Sequence, residues 1–231
     1  VQSNAWPSKC GNGGIDSNYE HVYVGAIANE LFLSLAAHLA NRAKNSAFYL
    51  DWAQQQWSWF RDSGLINENN TINDGLTNEC TNNGQTVWSY NQGVILGGLV
   101  ELDRATSNDS DSDPSNSTYL GAAGEIAQGA IAKLVDDDHV LREACEPDDC
   151  APDRTQFKGI FMRNLKALHA VAPKETYAKV INASAESIWA NDRTDTNGLG
   201  VVWAGPVDAA AVNASTHSSA VDALVAAIEK W

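Results

Sequence analysis

One pattern constrains this chain more than any other: helices apolar on almost every side alternate with helices apolar on one side only, and the alternation repeats. Residues Val22 to Arg42 carry Val22, Val24, Ile27, Leu31, Phe32, Leu33, Leu35 and Leu39, the signature of a helix enclosed by several neighbours. The next stretch confines Tyr49, Trp52, Ala53, Trp57 and Phe60 to one stripe, with Asp51, Gln54, Gln55 and Asp62 elsewhere, and so predicts an outer helix. Val87 to Arg104 repeats the inner type through Val94, Ile95, Leu96, Leu99 and Val100. Leu120, Ala123, Ala127, Ile131 and Leu134 repeat the outer type. A third pair follows, on Phe157, Ile160, Phe161, Leu165 and Leu168 and then on Tyr177, Val180, Ile181, Ile188 and Trp189. Asp153 and Gln156 offer a capping box for its first member, and Pro173 separates the two. A last helix is predicted on Ala220, Val221, Leu224, Val225 and Ile228.

The inner helices are expected to start near residues 22, 87, 154 and 215, intervals of 65, 67 and 61 residues. Repeated helical hairpins at this period describe an all-α fold, an (α/α)6 toroid, with residues 1–231 as one domain. A closed ring of six hairpins has twelve helices and seven are legible, so about five are expected on the N-terminal side, making this the C-terminal part of the barrel. Long connections follow each outer helix (Ser63 to Thr86, Asp136 to Pro152, Asp192 to Ala214), the later two with strand-like pieces at Val140 to Arg142 and Gly200 to Trp203. All of them enter inner helices at their N-termini, so they gather on one face with the opening loop of Lys9 to Glu20. Connections of this length are usually functional, which makes that face the expected site.

Four cysteines form an even set. Cys145 and Cys150 are close in sequence around the acidic loop Glu146 to Asp149, and Cys10 and Cys80 lie in loops entering neighbouring inner helices, so the pairs Cys145–Cys150 and Cys10–Cys80 are expected. No Cys-x-x-Cys or paired histidines accompany them, which argues against zinc. Five Asn-x-Ser/Thr acceptors, at Asn69, Asn108, Asn116, Asn182 and Asn213, join the cysteines in pointing to a secreted, extracellular or cell-wall glycoprotein. A net charge of −14 excludes nucleic acid and anionic membrane surfaces as natural partners, and no apolar run reaches the roughly 20 residues that span a bilayer.

A sugar site needs an aromatic platform for the apolar ring face and planar amides for the hydroxyls. Trp88, Tyr90 and Asn91 begin the second inner helix and so point at the loop face, where binding competes with core packing as their role. Lys158 and His217 occupy first turns of later inner helices, as binding groups or as satisfied structural hydrogen bonds. Trp203 is either a platform or a barrel-floor residue, while Trp52, Trp57, Trp59 and Trp189 fall on outer helices and read as core. The runs Asp136 to Asp138 and Asp148 to Asp149 read as solvated loop acids, and Glu143 and Asp222 as salt-bridge or capping groups.

The strings GAIANELFLSLAAHLA (25–40), VWSYNQGVILGGLVEL (87–102), REACEP (142–147), QFKGIFMRNL (156–165), WAGP and ASTHSSAVDALVAA resemble, in order and spacing, glycoside hydrolase family 76, the fungal endo-α-1,6-mannanase type. Cys10 to Gly14 is similar to the Cys-Gly-Gly turn after that family's fifth helix. The resemblance implies an (α/α)6 barrel that cleaves α-1,6-linked mannose chains with retention, one carboxylate acting as nucleophile and one as general acid, with no cofactor. It also implies that the adjacent catalytic aspartates precede the Cys-Gly-Gly turn. Val1 to Lys9 contains no acid, so no catalytic residue is assigned within this chain and the chain alone is expected to be inactive. Its partners are then α-mannan or mannose oligosaccharides, together with its own N-terminal half or a second copy that closes the ring. Two other readings are a non-catalytic carbohydrate-binding or structural helical domain, and a relative of the transglycosidases that attach mannoproteins to cell walls.

Overall fold

The computed structural model describes residues 8–11, 13–17, 23–107, 118–148, 150 and 152–228. Among them are seven α-helices and no strand: α1 (Ala26–Arg42), α2 (Ser46–Asp62), α3 (Ser89–Thr106), α4 (Thr118–Leu134), α5 (Phe157–Val171), α6 (Glu175–Asn191) and α7 (Ala214–Ala227). α1, α3, α5 and α7 form an inner arc in which each packs on the next, while α2 covers α1, α4 covers α3 and α6 packs on α5 and α7. One continuous hydrophobic cluster joins the two layers.

α3 sits at the centre of the arc, and its run from Asn91 to Leu102 is buried, which is why its sequence is apolar on every side. α2 buries only Ala53, Gln56, Trp57 and Phe60, the stripe predicted for an outer helix. Inner helices lie close because glycines face them. A Cβ on Gly93 would stand 2.6 Å from Phe161 Cα of α5, and one on Gly159 would stand 2.7 Å from Ser219 Cα of α7. The helix-propensity cost of a mid-helix glycine, about 1 kcal/mol, is offset by this backbone approach.

Every outer helix whose exit is described leads into the same small device. Isolated antiparallel bridges Ile66–Ile72, Val135–Leu141 and Arg193–Leu199 each close a tight hairpin, and a fourth, Leu76–Asn82, repeats it within the first long loop. Each places one residue in the left-handed region, respectively Asn70, His139, Asn197 and Cys80. A polar side chain at the start of each turn holds it: Asn67 Oδ1 accepts from the backbone of Asn69 and Thr71, Asp136 Oδ1 from Asp138 and Val140, Thr194 Oγ1 from Gly198, and Thr77 Oγ1 from Glu79 and Thr81. Val140 to Arg142 therefore contributes a single bridge and not a strand, and Gly200 to Trp203 forms a bend and a turn.

Three further expectations need correction. α1 begins at Ala26, not at residue 22, because Val24 and Gly25 are extended and bonded to the 74–76 loop: Ala26 N donates to Asp74 O at 2.9 Å and Leu76 N to Val24 O at 2.9 Å. Asp153 makes no side-chain cap, since a 3-10 turn over Arg154–Gln156 precedes α5 and leaves it in a helical conformation. Trp189 is not core but 53% exposed, with the Arg193 guanidinium 4.0 Å from its ring.

Candidate functional site

The N-termini of the inner helices and the long loops share one face, and the polar groups found there come from two sources. Trp88 is the extended N-cap residue of α3, half-buried, with the Phe157 ring edge-on at 5.8 Å and the Arg154 guanidinium 5.0 Å from its own ring. Tyr90, two residues on, also packs on Phe157, with centroids 4.0 Å apart. The result is an aromatic run, Trp88–Phe157–Tyr90, across the mouths of α3 and α5. Burial pushes the Tyr90 phenol up, and the charges of Asp74, Glu30, Tyr23 and Asp153 push it further. Tyr90 therefore stays a hydroxyl donor, and those groups surround it.

Tyr23 donates to Asp74 Oδ2 at 2.5 Å, and its phenol is likewise pushed up, first by burial and then by that bond. Glu30, on the second turn of α1, is wholly buried, and neither oxygen has a partner among the described residues. Burial, with the charge of Asp74 nearby, holds its carboxyl well above the usual range. Asn91 is also wholly buried, and neither its Nδ2 nor its Oδ1 is bonded among the described residues. Buried amides are normally satisfied, so Asn91 has bonding capacity that no described residue uses.

Behind this surface lies a knot of buried charge. Lys158, expected on the groove, is 1% exposed. Its ammonium is enclosed by Glu146, by the Val201 carbonyl at 2.6 Å and by the Trp203 ring, whose centroid is 4.4 Å away. Burial pulls that ammonium below its ordinary value, against the charges of Glu146, Glu143 and Asp192. Glu146 also pairs with Arg142 Nε at 3.0 Å. Glu143 accepts from Ser89 N at 3.2 Å and from the Ser89 hydroxyl, capping α3 from a distant loop, and burial pushes its carboxyl up. Asp192 is wholly buried, with neither oxygen bonded among the described residues, and burial pushes it up to about 7 against the attraction of Lys158. Trp203 is fully buried, a floor residue rather than a platform.

His217 also has a structural bond: its Nδ1 accepts from Leu199 N at 3.3 Å, with the residue otherwise exposed. It is the fourth residue of α7, and the fourth residues of α1 and α3 do the same work. Asn29 Oδ1 accepts from Ile15 N at 2.7 Å, and Gln92 Oε1 accepts from Ile72 N at 2.9 Å while its amide donates to Ile72 O. These polar pegs hold each incoming loop to the helix it enters. A polar residue recurring at one helical position across the repeats was the sequence signal for them. For Glu30, the signal was a lone acid within an apolar helix.

Both expected disulfides are present, Cys10–Cys80 with Cα atoms 5.3 Å apart and Cys145–Cys150 with Cα atoms 5.1 Å apart. The first ties the opening loop to the 63–88 connection, where Trp59 Nε1 also donates to Cys10 O. Glu143 is the cap the sequence suggested, and Asp222 pairs with Arg163 at 2.8 Å. Asn69, Asn182 and Asn213 are exposed, and Asn213 Oδ1 caps α7, whereas Asn108 and Asn116 lie outside the described residues, as does Asp149.

Residues 1–229 match the profile of Glycosyl hydrolase family 76. The chain is 31% identical over 180 residues to the mannan endo-1,6-alpha-mannosidase DFG5 of Candida albicans, an alignment covering 74% of this chain and 38% of that protein. It thus spans about two fifths of the length of that relative. Among solved structures it resembles the Lin0763 protein of Listeria innocua, with a TM-score of 0.80, 24% identity and coverage of 98% of this chain and 62% of that one. It also resembles an inactive variant of the alpha-1,6-mannanase GH76A of Salegentibacter, altered at two aspartates and complexed with alpha-1,6-mannotriose: TM-score 0.78, 22% identity, 97% and 64% coverage. The fold these structures share with the chain is the (α/α)6 toroid.

Proposed function

Because this chain belongs to glycosyl hydrolase family 76, we propose that it forms the C-terminal wall of a barrel that cleaves α-1,6-mannosidic bonds in mannan with retention, and that Trp88, Tyr90 and Asn91 hold the sugar. The aromatic run carries the reading, because it lies on the face where the long loops converge and is followed directly in the sequence by the buried, unbonded amide of Asn91. Mannose presents an apolar ring face to such a run and hydroxyls to the amide. Asp74, Glu30 and Tyr23 lie near enough to Tyr90 to act on its phenol. Lys158 and His217 serve it from behind, by fixing the loops.

Catalysis is assigned to an aspartate pair upstream of this chain. Retention needs two carboxyl groups roughly 5 to 5.5 Å apart across the scissile bond, one of them protonated. Neither Glu30 nor Asp74 stands beside a second acid in the sequence, as the adjacent aspartates of the family do. The rest of the ring, or a second copy, would lie against Leu31 and Leu35 of α1 and Val221, Val225 and Ile228 of α7, which are exposed. The named relatives are mannan endo-1,6-alpha-mannosidases, which supports cleavage over transfer and an extracellular or cell-wall location. The disulfides agree with that compartment.

Calorimetry with α-1,6-mannotriose tests this. The chain is expected to bind the sugar without releasing reducing ends from α-1,6-mannan. Asn91→Ala should weaken binding about tenfold, the loss of one or two hydrogen bonds, while leaving Tm unchanged or higher because it removes a buried amide without a protein partner. Undiminished binding by Asn91→Ala, or hydrolysis by the chain alone, defeats the reading.

A further inference from the structure

Beside the aromatic run lies a cleft of about 1120 Å3 between the 67–73 hairpin, residues 84–87, the last turns of α4 and residues 142–144. We infer that this cleft is a second carbohydrate subsite, holding the part of a neutral oligosaccharide that extends outward from the barrel axis past Trp88. The inference rests on the mannan reading of the site.

The lining separates into two kinds of polar group. Asn67, Thr71 and Asn73 are committed to the hairpin: Asn67 Nδ2 donates to Thr71 Oγ1 at 2.8 Å and to Asn73 Oδ1 at 2.7 Å, and Asn73 Nδ2 donates to Gln85 O at 2.5 Å. The side chains of Gln85, Thr86 and Lys133 have no such bond among the described residues, although they line the same space. A loop whose own amides are already bonded is a rigid wall, and the Gln85 amide and Thr86 hydroxyl can bond a ligand without first breaking contacts among the described residues. The hairpin is seated directly on α4, where a Cβ at Gly129 would lie 2.5 Å from Asn69 O, so the wall is held from both sides.

Charge selects the ligand class. Arg142 is neutralised by Asp136 at 3.5 Å and Glu146 at 3.0 Å, which leaves Lys133 as the one cation of the lining without an ion-pair partner among the described residues. One cation in a chain of net charge −14 does not make an anion site, whereas amides and a hydroxyl beside Val87, Ala132 and Ala144 suit the mixed polar and apolar faces of hexoses. Continuity with the first site is built in, since Val87 adjoins Trp88 and Glu143 of the inner wall accepts from Ser89.

The test compares α-1,6-mannobiose with α-1,6-mannotetraose by calorimetry, using the 231-residue chain made without N-glycosylation, since a glycan on Asn69 would occupy the cleft. Two variants remove the subsite in different ways: the double variant Gln85→Ala, Thr86→Ala deletes polar groups, and Ala132→Trp fills the space from an exposed position on α4. Both should lower tetraose affinity about tenfold and leave biose affinity unchanged. Tetraose binding equal to the parent's in both variants overturns the subsite, and so does an equal loss for both sugars. If the parent binds neither sugar, the mannan reading itself falls and this inference falls with it.

Discussion

At the scale of the residue, Asp192 is the most consequential group outside the groove. Its carboxyl is enclosed beside Lys158 and Trp203, and the absence of a side chain at Gly200 makes the room, since a Cβ there would stand 2.2 Å from Asp192 Oδ1. A carboxyl pushed up to about 7 in the fold, from an ordinary value near 4 when unfolded, binds its proton more tightly in the native state. Its contribution to stability is therefore full below about pH 4 and is lost as pH rises through 7. Glu30 and Glu143 are shifted in the same direction. Thermal melts of Asp192→Asn should show a Tm that falls less between pH 4.5 and 7.5 than the parent's, by several degrees over that range. Parallel pH profiles for the two proteins would show that Asp192 titrates normally. None of this was visible in the sequence, where Asp192 is an ordinary acid at the end of an amphipathic helix, because its burial is created by the 193–203 loop folding back over it.

At the scale of the element, the inner helices are held apart from water by one another and held close by glycine. Gly93 faces Phe161 with no space for a methyl group, so Gly93→Ala should force α3 away from α5 and destabilise the chain by about 1 to 3 kcal/mol, a fall in Tm of roughly 3 to 10 °C. Gly121, on α4 with nothing within 4 Å of a built Cβ, is the control: Gly121→Ala should leave Tm unchanged or raise it slightly. Equal effects at both positions would mean that the α3–α5 approach is not tight. The helices themselves were legible, since periodicity follows from which faces are buried, and the inner and outer assignments hold for every described helix. Helix starts were less legible. α1 and α5 begin later than their patterns suggest because loop bonds from Asp74 and a 3-10 turn take over the first residues, and such bonds come from segments distant in sequence or from local geometry that hydrophobic pattern does not encode.

At the scale of the whole molecule, the arc has two ends. α1 packs on α2 and α3, and α7 on α5 and α6, while Leu31 and Leu35 are 54% and 60% exposed and Val225 and Ile228 are 58% and 55% exposed. Apolar residues grouped in this way favour association. The chain should therefore show concentration-dependent association by light scattering, and the double variant Leu35→Lys, Val225→Lys should shift it toward monomer without lowering Tm, because neither side chain is in the core. A monomer at every concentration in the parent would show that these faces are tolerated in water.

By itself, the sequence determined the all-α class, the repeating inner and outer layers, the pairing of the cysteines and the face on which loops gather, because each depends on periodicity or on the order of elements along the chain. Tertiary structure alone decided which polar residues on that face are bonded and which are not. Lys158 and His217 look like Asn91 in sequence, polar residues in the first turn of an inner helix. Lys158 is captured by Glu146 and Val201, His217 by Leu199, and Asn91 by no described residue. The physical reason is that satisfaction of a buried polar group depends on what a distant loop brings within about 3 Å, and no local property of the sequence fixes that distance.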